Sequence, residues 1–149
     1  MVFQLIYHSH FLAVGAGPSS TIRKILQASE DNNFRDGITG FLIFDKASFV
    51  QVLEGDQAAV LEAYARISDD PRHNGLTIIA TRLVETRAFS DWAMGGHLRS
   101  EEVQDIYARH GIAGRLDPAA LRAPQVIALA QDLMTFEAQR QSQRIVGAA

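Results

Sequence analysis

A glutamine inside an apolar run is the residue of this sequence best placed to do chemistry. In the stretch FVQVLEG, read as a strand, alternation places Phe49, Gln51 and Leu53 on one face. A carboxamide carries two donors and two acceptor lone pairs, and a buried polar group left unpaired costs about 1 to 3 kcal/mol. Gln51 must therefore meet either another polar group of the protein or a bound ligand.

Other residues have side chains that could act together with this glutamine. Tyrosine can donate a hydrogen bond through its hydroxyl, an asparagine pair can both donate and accept, and tryptophan and methionine suit an adaptable apolar contact. Each could equally be an ordinary core residue whose polar atoms are satisfied within the protein. These candidates are Tyr7, Asn32, Asn33, Trp92 and Met94.

Composition excludes several classes of function. The 149 residues suffice for one domain with a substantial core, and the net charge of -3 with scattered basic residues argues against nucleic-acid binding. The absence of cysteine excludes disulfides, thiolate metal sites and cysteine nucleophiles. His8 and His10 share a strand face, but no third ligand is evident, so no metal site is predicted. Without a signal peptide or a long apolar span, we expect a cytoplasmic protein that does not bind membranes.

The hydrophobic pattern predicts strands and helices in the order βαββαβ, followed by one extra strand. The first helix should follow a cap at Ser19 or Ser20 and end at Asn32 and Asn33. The second should be capped by Asp56 and stop before Pro71. The predicted strands are Phe3–Ser9, Ile38–Phe44, Phe49–Glu54, Leu76–Val84 and Trp92–Leu98.

This order predicts an α/β (α+β) ferredoxin-like sandwich over residues 1–98, with both helices on one face of the sheet. We expect the first and third strands to be parallel neighbours at the sheet centre. Tyr7 and Gln51 then face the same side, in a crevice between the two helices.

Residues 99–149 are predicted to form a C-terminal helical extension of two helices with a frayed end. The first covers 100–109 and the second runs from Pro124 to about Gln139. Apolar residues of the second helix spread over more than one stripe, which predicts contact with its own sheet and with a partner or a second copy of the chain. That apolar set comprises Val126, Ile127, Leu129, Ala130, Leu133, Met134 and Phe136.

Five motifs, in this order and at this spacing, resemble the BLUF family of blue-light sensors that use flavin adenine dinucleotide (FAD). They are LIYHS, NNFRDGITG, FVQVLEG, DPRH and DWAMG, and the resemblance extends from Phe3 to about Leu98. It implies a blue-light photoreceptor rather than an enzyme, with non-covalently bound FAD as the cofactor. The C-terminal region looks like the short tail of stand-alone members. A separate downstream signalling protein and a homo-oligomer are the partners implied.

The resemblance also implies individual roles. Tyr7 would donate an electron and a proton to the photoexcited flavin, and Gln51 would rearrange its hydrogen bonds. Asn33, with its neighbour Asn32, would hold the pyrimidine edge, and the strand of Trp92 and Met94 would pass the change to the C-terminal helices. The residues implied for cofactor binding are Tyr7, Ile25, Ser29, Asn32, Asn33, Gln51, Arg66, Ile67, Asp70, Arg72 and His73.

Two other functions are compatible with the residues. An acylphosphatase-like hydrolase has the same βαββαβ order, but it needs an arginine in the loop after the first strand, and HFLAVGAGPSS has none. A regulatory module could instead bind a colourless metabolite between the helices. The colour of the purified protein separates both from a flavoprotein.

Overall fold

The computed structural model describes residues 1–12, 18–45, 47–90 and 94–148. Its strands are β1 (Val2–Phe11), β2 (Thr39–Phe44), β3 (Ser48–Gly55), β4 (His73–Val84) and β5 (Gly95–Leu98). Its helices are α1 (Pro18–Asp36), α2 (Gln57–Ser68), α3 (Gln104–Arg109), preceded by a 3₁₀ turn at Glu101–Val103, and α4 (Ala123–Ala148). The predicted order βαββαβ with a fifth strand and C-terminal helices is confirmed.

The five strands form one sheet in the order β4-β1-β3-β2-β5. The expectation that the first and third strands are parallel was wrong, because β1 pairs with β3 in the antiparallel sense. The connections explain this: the crossover through α1 leaves β1 and β2 parallel, and the tight hairpin then reverses β3. Only β2 and β5 form a parallel pair among the described strands.

Side-chain caps fix two of the predicted boundaries. The Asp45 carboxylate accepts hydrogen bonds from the backbone N–H of Ala47 and Ser48 in the turn between β2 and β3. Asp56 caps α2, accepting from the backbone N–H of Ala59, as the sequence predicts.

The first helix does not end at the asparagine pair. It continues to Asp36 and stops at Gly37, whose φ of 69° lies in the left-handed region that glycine tolerates. The N–H of Ile38 returns to the carbonyl of Asn33 at 2.9 Å, a Schellman-type closure. Asn33 therefore belongs to the last turn of α1 and not to the loop beyond it.

Other boundaries also differ from the prediction. The strand β4 begins at His73, three residues before the predicted Leu76. The helix α4 extends to Ala148 instead of fraying near Gln139. The fifth strand covers Gly95–Leu98, whereas Trp92, which was placed at its start, lies outside the described residues.

Each face of the sheet has its own hydrophobic core. On one face, Leu5, Tyr7 and Leu53 pack with residues of α1 and α2, so the prediction that both helices share a face is confirmed. On the other, Ile6 and Val52 pack with α3 and α4. Every member of the apolar set predicted on α4 belongs to this second core or packs against it, which confirms the predicted contact with its own sheet. Ile127, Met134 and Phe136 are only partly buried, and the predicted contact with a partner remains a prediction. No helix in the described part of the chain is long and apolar enough to cross a membrane.

Candidate functional site

A cleft opens between α1 and α2, above the centre of the sheet. It holds about 590 Å³ of empty space, counted out to its open mouth. Its lining contains every residue predicted to bind the cofactor except Asn33, together with three apolar or small residues. The lining residues are Tyr7, Ile25, Ala28, Ser29, Asn32, Leu42, Phe49, Gln51, Arg66, Ile67, Asp70, Arg72 and His73.

The floor of the cleft contains a hydrogen-bonded series of three side chains. Tyr7 lies directly opposite Gln51 in the antiparallel register of β1 and β3. Its hydroxyl donates to Gln51 Oε1, while Gln51 Nε2 donates to Met94 Sδ at 3.3 Å. All three are buried, with 2%, 2% and 6% of their surface exposed for Tyr7, Gln51 and Met94. The strand alternation read from the sequence therefore places both polar side chains on the same face.

The oxygen and the nitrogen of the Gln51 amide make hydrogen bonds of different strength. The phenol is a good donor to the carboxamide oxygen, whereas a thioether sulfur is only a weak acceptor for the amide N–H. The amide group is thus held firmly at its oxygen and loosely at its nitrogen. A competing acceptor in the cleft could take the N–H groups at little cost.

Burial keeps Tyr7 protonated. Desolvation raises the pKa of the Tyr7 phenol far above its ordinary value, and the nearby Tyr64 and Asp70 raise it further. The ring of Tyr64 meets that of Tyr7 edge to face, with centroids 5.4 Å apart. Tyr7 is therefore a neutral hydrogen-bond donor across the physiological pH range.

The segment between α2 and β4 forms one side of the cleft mouth. Arg72 binds the Asp70 carboxylate through Nε at 2.9 and 3.1 Å and through Nη2, which lowers the pKa of that carboxyl. His73 bonds the carbonyl of Ile67 through Nε2 and the hydroxyl of Ser9 through Nδ1, both at 2.8 Å. Since a carbonyl only accepts, Nε2 carries a proton and donates to Ile67. His73 thus fixes the start of β4 against α2.

Arg66 is the more available cation at the mouth. It is half-exposed and only 3.5 Å from the Asp36 carboxylate, a solvent-screened pair of little energetic weight. Arg72, in contrast, is committed to Asp70. The two arginines at this mouth therefore differ in how freely each could meet an anionic group.

The two asparagines both lie within α1, but their side chains line different depressions. Asn32 lines the cleft, whereas Asn33 is buried and lines a separate depression beside Thr39 and Arg87. The two side chains leave the helix about 100° apart, and only Asn32 lines the cleft in this structure. The role predicted for Asn33 at the cofactor remains a prediction.

Sequence reasoning missed a buried carboxylate and a buried histidine near this site. Glu54 is fully buried and accepts from the backbone N–H groups of Ala88 and Phe89 at 3.0 and 2.6 Å. His97 is buried against α4 and bonds Glu137 at 2.6 Å. The strand alternation does place both side chains on the face opposite Gln51. Their partners could not be predicted, because Phe89 lies 35 residues from Glu54 and Glu137 lies 40 residues from His97 in the sequence.

The fold and the cleft together define a ferredoxin-like ligand-binding module with a helical cap on the second face of its sheet. Comparison with known proteins identifies its family. The profile described as "BLUF: Sensors of blue-light using FAD" matches residues 2–95. The chain belongs to the BLUF family.

Solved BLUF structures resemble this chain over most of its length. The photo-activated state of BlsA is 25% identical, covers 89% of this chain and 94% of its own, and gives a TM-score of 0.78. The dark state of BlrB, a BLUF protein, is 29% identical, covers 91% and 96%, and gives 0.73. The match therefore includes the C-terminal helices.

A curated relative is the blue light- and temperature-regulated antirepressor BluF of Escherichia coli, 27% identical over 143 residues. Another is the photoactivated adenylate cyclase subunit beta of Euglena gracilis, 35% identical over 71 residues. The alignments cover 35% and 8% of these relatives, so the chain spans only a part of their length.

The cleft fits the flavin that defines the family. Ile25 from α1 and Ile67 from α2 supply apolar walls of the kind that a planar ring requires. The carboxamides of Asn32 and Gln51 supply donors and acceptors, and Arg66 supplies a positive charge at the mouth. An apolar slot with polar groups at its floor and a cation at its entrance matches the isoalloxazine and phosphate parts of FAD.

Proposed function

We propose that this protein is a blue-light photoreceptor whose switch is the series Tyr7–Gln51–Met94. The observation that supports it most strongly is the unequal bonding of the Gln51 amide, firm towards Tyr7 and weak towards Met94, in the floor of the cleft. A glutamine that served only to satisfy a core tyrosine would not need to line a cavity.

The residues that would hold the cofactor divide by chemistry. Ile25 and Ile67 would enclose the ring system, and Asn32, Asn33 and Gln51 would bind its polar edge. A separate group at the mouth would meet the ribityl and phosphate part. That group comprises Ser29, Arg66, Asp70, Arg72 and His73.

The bound flavin supplies absorption of blue light and an excited state able to accept an electron. Tyr7 is suited to give up an electron together with its proton, because burial disfavours the charged phenolate. The proton lies in the hydrogen bond to Gln51 Oε1, so Gln51 is the group that senses its departure and return. Breaking the weak bond to Met94 leaves Gln51 free to reorient or to change tautomer.

Met94 would carry the change out of the cleft, since it immediately precedes β5. A side chain that loses its bond to Gln51 repacks, and the strand that bears it adjusts against its neighbours. A two-state element of this kind is what light-driven switching requires. Trp92, two residues earlier, is proposed to share this role.

The output is proposed to reach a separate protein through the C-terminal helices. The relatives are named as an antirepressor and as photoactivated cyclase subunits, so BLUF proteins differ in their output. For this chain, the downstream partner would be a separate signalling protein that distinguishes its two states. A homo-oligomer is a second proposed form of association.

Absorption spectroscopy on the purified protein tests this function. We expect a yellow protein that releases FAD on denaturation, because no cysteine is present to bind it covalently. Blue light should shift the visible band, and darkness should restore it. A colourless protein that takes up no added flavin would instead favour a hydrolase or a metabolite-binding module.

A further inference from the structure

The edge strand β5 touches a different element on each of its faces. On the cleft side, Met94 accepts the hydrogen bond from Gln51, and Gly96 lies so close to α1 that a Cβ there would come within 2.6 Å of Leu26 Cδ2. On the opposite side, His97 bonds Glu137 of α4. Alternation along four residues thus connects the cleft to the C-terminal helix.

The contact between His97 and Glu137 is buried and directional. His97 is 3% exposed, and its Nδ1 lies 2.6 Å from Glu137 Oε1. Burial lowers the pKa of the imidazole more than Glu137 raises it, so the ring is neutral and donates from Nδ1. The ring of Phe136 meets it edge to face at 5.8 Å. A hydrogen bond to a charged acceptor is short and strong, and it is lost over a small displacement.

Glu137 is in turn fixed within α4. Arg140 Nη2 binds it at 2.8 Å, and Arg140 Nη1 lies 3.6 Å from Glu102 in the 3₁₀ turn. The guanidinium also lies over the ring of Phe136 at 5.4 Å. A movement transmitted to Glu137 would therefore act on a whole turn of α4 and on the segment that precedes α3.

Among the residues that the structure describes, the other contacts of α4 with the sheet are of a different kind. Leu129 and Leu133 pack in the core on this face together with Val50 and Val52 of the central strand β3, and these contacts are apolar and non-directional. A small shift of the edge strand leaves such packing intact. The directional contact to β5 is the one that a shift would break.

We propose that the His97–Glu137 hydrogen bond is the joint through which movement of β5 reaches α4, which makes His97 a positioning residue for the C-terminal helix. This inference rests on the proposed function, since it takes the movement of β5 from the Gln51–Met94 switch. In the dark the bond holds the distal part of α4 against β5. After illumination it breaks or re-forms with altered geometry, and that part of the helix is released.

Hydrogen–deuterium exchange on the full-length, flavin-loaded protein tests the joint, with every variant measured in darkness and under blue light. His97→Ala removes the donor, whereas His97→Asn places an amide N–H near the position of Nδ1 and serves as the rescue. The control is His110→Ala, because His110 bonds Asp132 of α4 from the end of α3 and has no part in the contact with β5. The visible difference spectrum is recorded on the same samples.

In the unaltered protein, light should increase exchange in peptides that cover Glu137 and the residues after it. His97→Ala should keep the spectral shift and lose this light–dark difference, while His97→Asn and His110→Ala keep both. A light–dark difference that survives in His97→Ala, that is absent from the unaltered protein, or that is lost equally in His110→Ala would overturn the joint. Loss of the spectral shift in the unaltered protein would instead refute the photoreceptor function on which it rests.

Discussion

Tyr7 and Gln51 lie directly opposite each other across β1 and β3, and the phenol donates its hydrogen bond to the carboxamide oxygen of its partner. The two central strands fix their separation, so neither side chain can leave the pair without a change of rotamer. The only freedom left to Gln51 is at its nitrogen, where the acceptor is a thioether. The amide group of Gln51 is therefore the part of the site that can reorient, while the strands that carry Tyr7 and Gln51 stay in place.

Replacing Tyr7 by phenylalanine should abolish the light-induced shift of the visible band. The change removes the donor to Gln51 Oε1 and leaves the aromatic ring and its contact with Tyr64 in place. We expect the flavin to stay bound, with affinity reduced by no more than about tenfold, the effect of one neutral hydrogen bond. Difference spectroscopy measures the shift, and fluorescence titration measures the affinity.

Tyr64→Phe is the matched control for this change, since Tyr64 borders Tyr7 and gives no hydrogen bond to Gln51. It should retain the full shift. A reversible shift in Tyr7→Phe would show that Tyr7 is not the donor.

Removing the Glu54 carboxylate should destabilise the protein. Glu54→Ala leaves the N–H groups of Ala88 and Phe89 and the hydroxyl of Thr39 without their acceptor in a buried position. Because hydrogen bonds to charged groups contribute about 1.5 to 3 kcal/mol each and are partly replaced by water, we expect a loss of about 3 kcal/mol. Chemical denaturation measures it. Glu85 is exposed on the neighbouring loop and provides the control, because Glu85→Ala should change stability by less than about 0.5 kcal/mol. An equal loss of stability in both variants would contradict the role of Glu54.

Stability should fall as the pH is lowered below about 6.5, the ordinary pKa of histidine. Burial depresses the pKa of both His8 and His97 in the folded chain. The unfolded chain therefore binds protons first, and the stability present above pH 6.5 is lost until the folded imidazoles also titrate. Denaturation at a series of pH values should show a shallower slope for His97→Asn than for the unaltered chain. An unchanged slope would mean that His97 is not buried in its neutral form.

Much of the fold follows from local sequence signals. The sequence correctly predicts the Asp56 cap and the face of β3 on which Gln51 lies. Both depend on neighbours within a few positions of the residue itself. The orientation of β1 against β3 was wrong because it depends on the connections and not on either strand alone. The end of α1 was misplaced because the αL glycine at Gly37 outweighs the asparagines before it.

The C-terminal extension was the least predictable part. The apolar residues of its second helix predicted packing against the sheet but not which face of the sheet. In the structure, Leu129 and Leu133 are buried against the face opposite the cleft. Truncation after Leu98 would consequently expose that core, so a point variant such as His97→Ala is the better probe of output. Contacts between residues as distant as His97 and Glu137 leave no periodicity to read.

The light-minus-dark absorption spectrum of Gln51→Leu shows whether the light response depends on the hydrogen bonds of Gln51. Leucine nearly conserves the volume of glutamine and removes every hydrogen bond that it can make, so the flavin should remain bound in the cleft. We expect Gln51→Leu to be a yellow protein whose spectrum is the same before and after blue light, whereas the spectrum of the unaltered protein shifts and recovers. A reversible shift of unaltered size in Gln51→Leu would contradict it, because the switch could not then depend on the hydrogen bonds of Gln51.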